Sequence, residues 1–200
     1  MKKLVVYIHG KGGSAAEAEH YKKLFPAYDV IGFDHQAQTP WDAVSEFTAF
    51  FTPLRQQYDT VVLLANSIGA FFSMSALSEK FIDRALFISP IVNMETLISD
   101  MMGWAGVAEN VLHAQGKVAT DFGETLSWEY LCYVRAHPLV WDVPTCILYG
   151  EKDNLTSYET LAAFAQKLHA PITVMPSGEH WFHTEEQMSF LDEWVNGQCL

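Results

Sequence analysis

The chain has 200 residues, of which 50% are hydrophobic and 18% are charged, so it is long and apolar enough to bury a core, and this composition excludes a disordered chain. Its 24 acidic and 12 basic residues give a formal net charge of −12. This charge argues against a nucleic acid or an anionic membrane surface as a partner, because either would need a basic patch.

Short apolar, β-branched segments alternate along the chain with segments of helical periodicity. The first of them follows a short basic start, but glycine and charge arrive too early for a signal peptide, so it is predicted as a strand. The predicted strands cover 3–9, 28–35, 60–66, 84–92, 145–150 and 172–176. The predicted helices cover 14–25, 41–58, 68–81, 157–168 and 184–195.

Two of these helices carry local signals. Pro53 is expected to kink or divide the helix over 41–58. Thr184 is predicted as the N-cap of the last helix, and Gln187 completes the spacing of a capping box.

Nearly continuous apolar strands that alternate with helices are typical of a parallel sheet covered on both faces. We therefore predict a three-layer α/β fold with about six strands, as a single domain over 1–200. Residues 93–143 interrupt the alternation with methionines, tryptophans and a helix-like segment over 127–137, and they show no clear strand. They are predicted to form a small helical lid inserted into the domain.

Three cysteines, Cys132, Cys146 and Cys199, have no C-x-x-C spacing. This excludes a disulfide framework and a zinc knuckle, and free or buried thiols are expected. No apolar stretch approaches the roughly 18 residues that span a bilayer, so a cytoplasmic location is the expectation.

Ser67 stands in the stretch LLANSIGAFF, where a predicted strand runs directly into a predicted helix. At the carboxyl end of a parallel strand, a sharp turn of this kind requires small residues on both sides of its apex. Ala65 and Gly69 meet that requirement, so the stretch matches the G-x-S-x-G nucleophile elbow with alanine in the first glycine position. The alternative is that Ser67 only caps the following helix.

A nucleophilic serine needs a general base, and the base needs a third group that orients it. Asp153 follows the fifth predicted strand in ILYGEKDNLT, and His180 follows the sixth in VMPSGEHWFH. All three residues are thus expected at the same edge of the sheet, in the chain order Ser-Asp-His that α/β-hydrolases use. The sequence predicts a catalytic triad of Ser67, His180 and Asp153.

Other residues remain open for these roles. His183 is an alternative base, and Asp34 and Asp142 are alternative acids, although Asp142 precedes its strand and is expected at the opposite edge. His180 and His183 have no third ligand at a convincing spacing, so no metal ion is expected.

Four segments together resemble the α/β-hydrolase superfamily along nearly the whole chain: YIHGKGGS, ANSIGA, YGEKD and GEHWFH. The antiparallel strands with which that family begins have no counterpart, and Ala65 departs from its elbow pattern. The resemblance implies an oxyanion hole formed by the backbone N–H groups of Lys11 and Ile68, with no cofactor. Preorganised donors of this kind stabilise the negative charge that develops during acyl transfer.

The segment GKGGSA over 10–15 supports a rival interpretation. It matches a G-x-G-x-x-A dinucleotide fingerprint after a strand, with Asp34 placed to bind a ribose. A Rossmann-type oxidoreductase of this kind would leave Ser67, Asp153 and His180 without a common explanation.

Large apolar residues are expected to line a substrate pocket or, equally, to cover the sheet as core. Those assigned to the pocket are Met101, Met102, Trp104, Trp128 and Trp181. The predicted function is a serine carboxylesterase that acts on small or medium acyl esters. The alternatives are lactone, thioester or peptide cleavage, acyl transfer, and a non-catalytic binding protein on the same scaffold.

Overall fold

The computed structural model describes residues 1–198, so Cys199 lies outside the described residues. The strands are β1 (Lys3–Ile8), β2 (Asp29–Phe33), β3 (Thr60–Asn66), β4 (Arg84–Ile88), β5 (Lys117–Ala119), β6 (Thr125–Ser127), β7 (Thr145–Gly150) and β8 (Ile172–Met175). The α-helices are α1 (Ala18–Tyr21), α2 (Pro40–Gln57), α3 (Ile68–Ala76), α4 (Met94–Ala105), α5 (Glu109–Gln115), α6 (Trp128–Ala136), α7 (Tyr158–Leu168) and α8 (Glu185–Asn196). No helix among the described residues is long and apolar enough to cross a membrane.

Six strands form one parallel sheet in the order β2-β1-β3-β4-β7-β8. Helices flank this sheet, which confirms the predicted three-layer α/β fold with six strands. The register places Ala65 of β3 opposite Ile8 of β1, and Asn66 opposite Ile88 of β4. The carboxyl ends of the three central strands therefore lie side by side, next to Ser67.

The central strands are buried along nearly their whole length, as a sheet covered on both faces requires. One core cluster joins side chains of the sheet, such as Leu64, to Tyr21 of α1 and to Leu191 and Trp194 of α8. Two further helices, α2 and α3, pack against each other.

The chain divides into two compact units. The first consists of Met1–Val92 and the described residues from Val140 onward, and it contains the six-stranded sheet. The second, Asn93–Leu139, contains α4, α5, α6 and the strands β5 and β6. Within it, Arg135 of α6 donates to Glu95 of α4 and to both carboxylate oxygens of Glu109 of α5.

Residues 93–143, in which the sequence shows no clear strand, contain two short strands besides their helices. Strands β5 and β6 pair antiparallel around a turn at Gly123, which has φ +85°. Each strand has three residues, and only Leu126 of the pair is buried, so no apolar alternation marked them in the sequence. Trp141 and Val143 belong to the first unit, where both are buried. The role of the second unit as a lid stays a prediction.

Two predicted helices also differ from their expected form. The segment over 14–25 is not one helix but two 3-10 turns, Ala15–Glu17 and Lys22–Leu24, on either side of α1. Its backbone crosses β2 so closely that a Cβ on Gly32 would lie 2.0 Å from the carbonyl oxygen of Ala15. Helix α2 continues through Pro53 without division.

The last helix begins at its predicted cap. The Thr184 hydroxyl accepts a hydrogen bond from the Gln187 N–H at 3.2 Å. The Gln187 side chain does not return to Thr184, as a capping box would require, but accepts from the N–H of His183 at 3.0 Å.

Gly69 lies where the start of α3 meets the end of β1. A Cβ at this position would lie 2.5 Å from the carbonyl oxygen of His9 and 2.9 Å from Cγ2 of Ile8. The first of these neighbours is backbone and cannot move aside without displacing the strand end. The glycine is therefore required for the helix to follow its strand directly.

We predict that Gly69→Ala lowers the free energy of unfolding by about 2 kcal/mol or more, because the added methyl overpacks a rigid contact. Gly197→Ala is the matched control, since a Cβ there would approach its neighbours no closer than 3.4 Å. Urea denaturation at equilibrium measures both variants. Equal stability of the two variants would contradict the steric account.

Candidate active site

Ser67 sits at a strained turn between β3 and α3, with φ +51° and ψ −121°. Its N–H donates to the carbonyl of Ile88 at 3.0 Å, and its own carbonyl accepts from Ala70 and Ile91. The residue occupies the N-cap position of α3, but its side chain makes no capping hydrogen bond. The hydroxyl is thus left for another partner, contrary to the capping interpretation.

That partner is His180. The distance from Ser67 Oγ to His180 Nε2 is 2.8 Å, and the distance from His180 Nδ1 to Asp153 Oδ2 is 2.7 Å. The Asp153 side chain is fully buried, and the His180 side chain is 13% exposed. A buried carboxylate holds the proton on Nδ1, which leaves Nε2 as the acceptor for the serine hydroxyl. The structure therefore brings the three predicted residues into one hydrogen-bonded chain.

The two carboxylate oxygens of Asp153 have separate partners. Oδ2 binds His180, whereas Oδ1 accepts from the backbone N–H groups of Leu155 at 2.8 Å and Thr156 at 3.0 Å. The second set of bonds holds the loop after β7 in a tight turn. The orientation of the carboxylate towards His180 is thus set by its own loop.

The loops that carry Asp153 and His180 also contact each other directly. A Cβ on Gly150 would lie 2.4 Å from the carbonyl oxygen of Glu179, and the Lys152 N–H donates to the carbonyl of Gly178 at 2.7 Å. Sequence reasoning did not assign a role to Gly150 or Gly178. Their positions could have indicated a role in the site, because each glycine lies within three residues of a predicted triad member.

The predicted oxyanion donors lie on the two segments that flank the serine. Ile68 is the first residue of α3, and first-turn N–H groups have no acceptor within their own helix. Lys11 lies in a turn closed by the Gly13 N–H and the Gly10 carbonyl at 3.1 Å, with Gly12 at φ +75°. A Cβ on Gly10 would lie 3.1 Å from Cβ of Ser67, so this turn begins beside the nucleophile.

Two histidines to which the sequence analysis gave no role lie next to the turn Gly10–Gly13. The rings of His9 and His35 stack at 4.2 Å, and both residues are buried. His35 Nε2 lies 3.2 Å from the carbonyl oxygen of His9, and His9 Nδ1 lies 2.8 Å from that of Gly10. Burial lowers the pKa of His35, which favours the neutral ring. Because the His9 carbonyl oxygen can only accept, the proton of that ring lies on Nε2.

The remaining candidates have contacts with other residues. His183 stacks on Trp181 at 4.4 Å and its Nδ1 lies 2.8 Å from the Trp181 carbonyl oxygen. Trp181 itself is 66% exposed. Asp34 lies 3.8 Å from His9 Nε2, and Asp142 precedes β7, at the opposite edge of the sheet from Ser67.

The other predicted pocket residues belong to the second unit. Met101, Met102 and Trp104 lie on α4, and Trp128 begins α6. Within that unit, Trp104 packs edge-on against Phe122. Their role in a substrate pocket stays a prediction.

Comparison with solved structures decides the fold. The chain superposes on Est1E from Butyrivibrio proteoclasticus with a TM-score of 0.74 at 16% identity, covering 98% of this chain and 86% of that one. A putative hydrolase from Agrobacterium vitis S4 gives 0.75 at 14% identity, covering 97% and 87%. Mouse alpha/beta hydrolase domain-containing protein 10 gives 0.72 at 13% identity, covering 96% and 88%. The chain has the α/β-hydrolase fold. No family model matches the sequence, and no curated protein matches it.

The α/β-hydrolase fold also bears on the dinucleotide interpretation. Rossmann-type dinucleotide-binding domains have the strand order 3-2-1-4-5-6, in which strand 1 lies between strands 2 and 4. In this sheet β1 lies between β2 and β3. The glycine-rich segment is followed by the 3-10 turn Ala15–Glu17 and the four-residue helix α1. A dinucleotide site would need a long helix there, whose N-terminus binds the pyrophosphate.

The separate partners of Asp153 generate a stability prediction. Asp153→Ala should lower the free energy of unfolding by about 2 kcal/mol, because two N–H groups of the loop lose their acceptor. Asp153→Asn keeps an oxygen at Oδ1 and should retain most of that stability. Urea denaturation compares the two variants, and an equal loss in both would show that Oδ1 does not hold the loop.

Proposed function

We propose that the chain is a serine hydrolase that cleaves carboxylic esters with small or medium acyl groups. The observation that carries this proposal is the continuous chain of hydrogen bonds from Ser67 through His180 to the buried Asp153. A capping serine or a surface histidine has no need of such partners, whereas acyl transfer requires all three.

In the proposed reaction, Ser67 Oγ attacks the ester carbonyl carbon while His180 Nε2 takes the hydroxyl proton. Asp153 stabilises the resulting imidazolium through Nδ1–H. The tetrahedral intermediate collapses, and His180 returns the proton to the departing alcohol oxygen. Water then attacks the acyl-enzyme by the same sequence and releases the carboxylic acid and the free serine.

The N–H groups of Ile68 and Lys11 are the proposed oxyanion donors. Their positions support this role, because Ile68 directly follows the nucleophile and Lys11 lies in the turn that begins beside it. Donors that are already in place need no reorganisation when charge develops on the carbonyl oxygen.

The substrate is proposed to be a small molecule, because the net charge of −12 disfavours nucleic acid. We also place the reaction in the cytoplasm. The thiol of Cys132 is free and exposed, which suits a reducing compartment.

Ser67→Ala should lower kcat for p-nitrophenyl butyrate by about 10⁴-fold or more and should abolish labelling by a fluorophosphonate, since no nucleophile remains. Ser75→Ala, on the same helix, removes a hydroxyl that donates to the Phe71 carbonyl and should keep wild-type activity. Mass spectrometry of the labelled protein locates the adduct. Equal labelling of wild type and Ser67→Ala would refute the assignment.

A panel of substrates distinguishes the other uses of the same triad. Matched esters, thioesters, lactones and peptides with a common acyl group compare leaving groups directly, and added alcohols or amines reveal acyl transfer. The ester should give the highest kcat/KM. A protein that resists every fluorophosphonate but gains thermal stability with a ligand would instead be a binding protein on this scaffold.

A further inference from the structure

Tyr7 and Glu17 meet where β1 gives way to the glycine-rich loop. Tyr7 is 1% exposed, and its ring packs against that of Tyr21 with the ring centres 5.1 Å apart. Its hydroxyl donates to Glu17 Oε2. Burial raises the pKa of the Tyr7 phenol well above its ordinary value, so the group remains a donor throughout the range in which proteins are stable.

The other oxygen of Glu17 is engaged by the loop itself. Oε1 accepts from the Ser14 N–H at 2.9 Å. The same oxygen lies 2.6 Å from the place where Gly13 would carry a Cβ. The Glu17 carboxylate therefore links the end of the turn and the start of the 3-10 helix to strand β1.

The segment enclosed by this contact contains the predicted oxyanion donor. It runs from Tyr7 to Glu17 and includes the turn Gly10–Gly13, with Lys11 at its second position. Three glycines in so short a loop give the backbone wide conformational freedom unless something restrains it. Gly10 lies against Ser67, so any displacement of the turn changes the distance between donor and nucleophile.

Asn66, the residue before Ser67, also acts on the Tyr7 phenol. Burial raises the pKa of Tyr7, and a hydrogen bond with the Asn66 side chain opposes that rise. The sequence neighbour of the nucleophile and the loop carboxylate thus both influence one buried hydroxyl.

We propose that Tyr7 and Glu17 are positioning residues that hold the Lys11 N–H at a fixed place relative to Ser67. The inference rests on the proposed function, because the alignment of this donor matters only if charge develops on an acyl oxygen. Neither side chain touches substrate. Both restrain the loop, which supports catalysis only if its N–H donor is in position before the reaction starts.

Tyr7→Phe tests the proposal, because it removes the hydroxyl and keeps the buried ring. We expect kcat for p-nitrophenyl butyrate to fall between about 10-fold and 100-fold, less than loss of a whole oxyanion donor, with KM within about twofold of wild type. Rates are expressed per active site, counted by fluorophosphonate titration. The affinity for a trifluoromethyl ketone that forms a hemiketal with the serine should fall in parallel with kcat.

Tyr58→Phe is the matched control. Its hydroxyl donates to Asp29 Oδ2 at 2.9 Å, so it loses the same kind of bond, but at the amino end of β2. It should keep wild-type kcat and KM.

Glu17 supplies a rescue test. Glu17→Ala removes both acceptors and should reproduce the Tyr7→Phe defect. Glu17→Gln keeps an oxygen for the Ser14 N–H, and its amide can still bond the Tyr7 oxygen, so it should recover at least a third of wild-type kcat.

Three results overturn the proposal. The first is a kcat of Tyr7→Phe within twofold of Tyr58→Phe. The second is a smaller fraction of titratable sites with unchanged kcat per site, since that shows a structural role alone. The third is a wild-type protein with neither esterase activity nor fluorophosphonate labelling, which overturns the proposed function as well and so is distinct from the first two.

Discussion

The site depends on one steric constraint, the abrupt passage from β3 into α3 at Ser67. A backbone with φ +51° stores about 1–3 kcal/mol of strain and persists only where its surroundings hold it. The hydrogen bond from the Ser67 N–H to the Ile88 carbonyl helps to hold this backbone conformation. The absence of a side chain at Gly69 also contributes, since the helix start then fits against the carbonyl of His9.

The parallel sheet converts this local turn into a site. Because β1, β3, β7 and β8 run in the same direction, the segments that follow them emerge at one edge. The loop after β7 turns on the Oδ1 atom of Asp153, and the loop before His180 packs against Gly150. Each polar side chain is thus oriented by backbone contacts at its own strand end, and contacts between neighbouring strand ends, such as that of Gly150 with Glu179, bring the three together.

The sequence predicted those parts of the molecule whose cause is local. Alternation of apolar strands with helices gave all six sheet strands, with β3 and β7 at their observed bounds. The small residues around Ser67 marked the elbow because the steric demand falls on adjacent positions. The hairpin of β5 and β6 escaped notice because its three-residue strands bury a single side chain.

Contacts between segments far apart in the chain could not be predicted in the same way. The stacking of His9 on His35 joins residues that follow neighbouring strands, and nothing in either stretch indicates the other. The 3-10 turn at 15–17 reflects the crossing over Gly32 and not the helical periodicity of the segment itself. Long-range packing here decides conformation over local preference.

The central claim is that one hydroxyl, one imidazole and two backbone N–H groups surround a single reacting carbonyl. A crystal structure of the protein after reaction with a fluorophosphonate tests it most directly. The account predicts a phosphorus bonded to Ser67 Oγ, with the phosphonyl oxygen within about 3.2 Å of the nitrogens of Ile68 and Lys11. An adduct on another residue, or an oxygen that points away from both nitrogens, would contradict it.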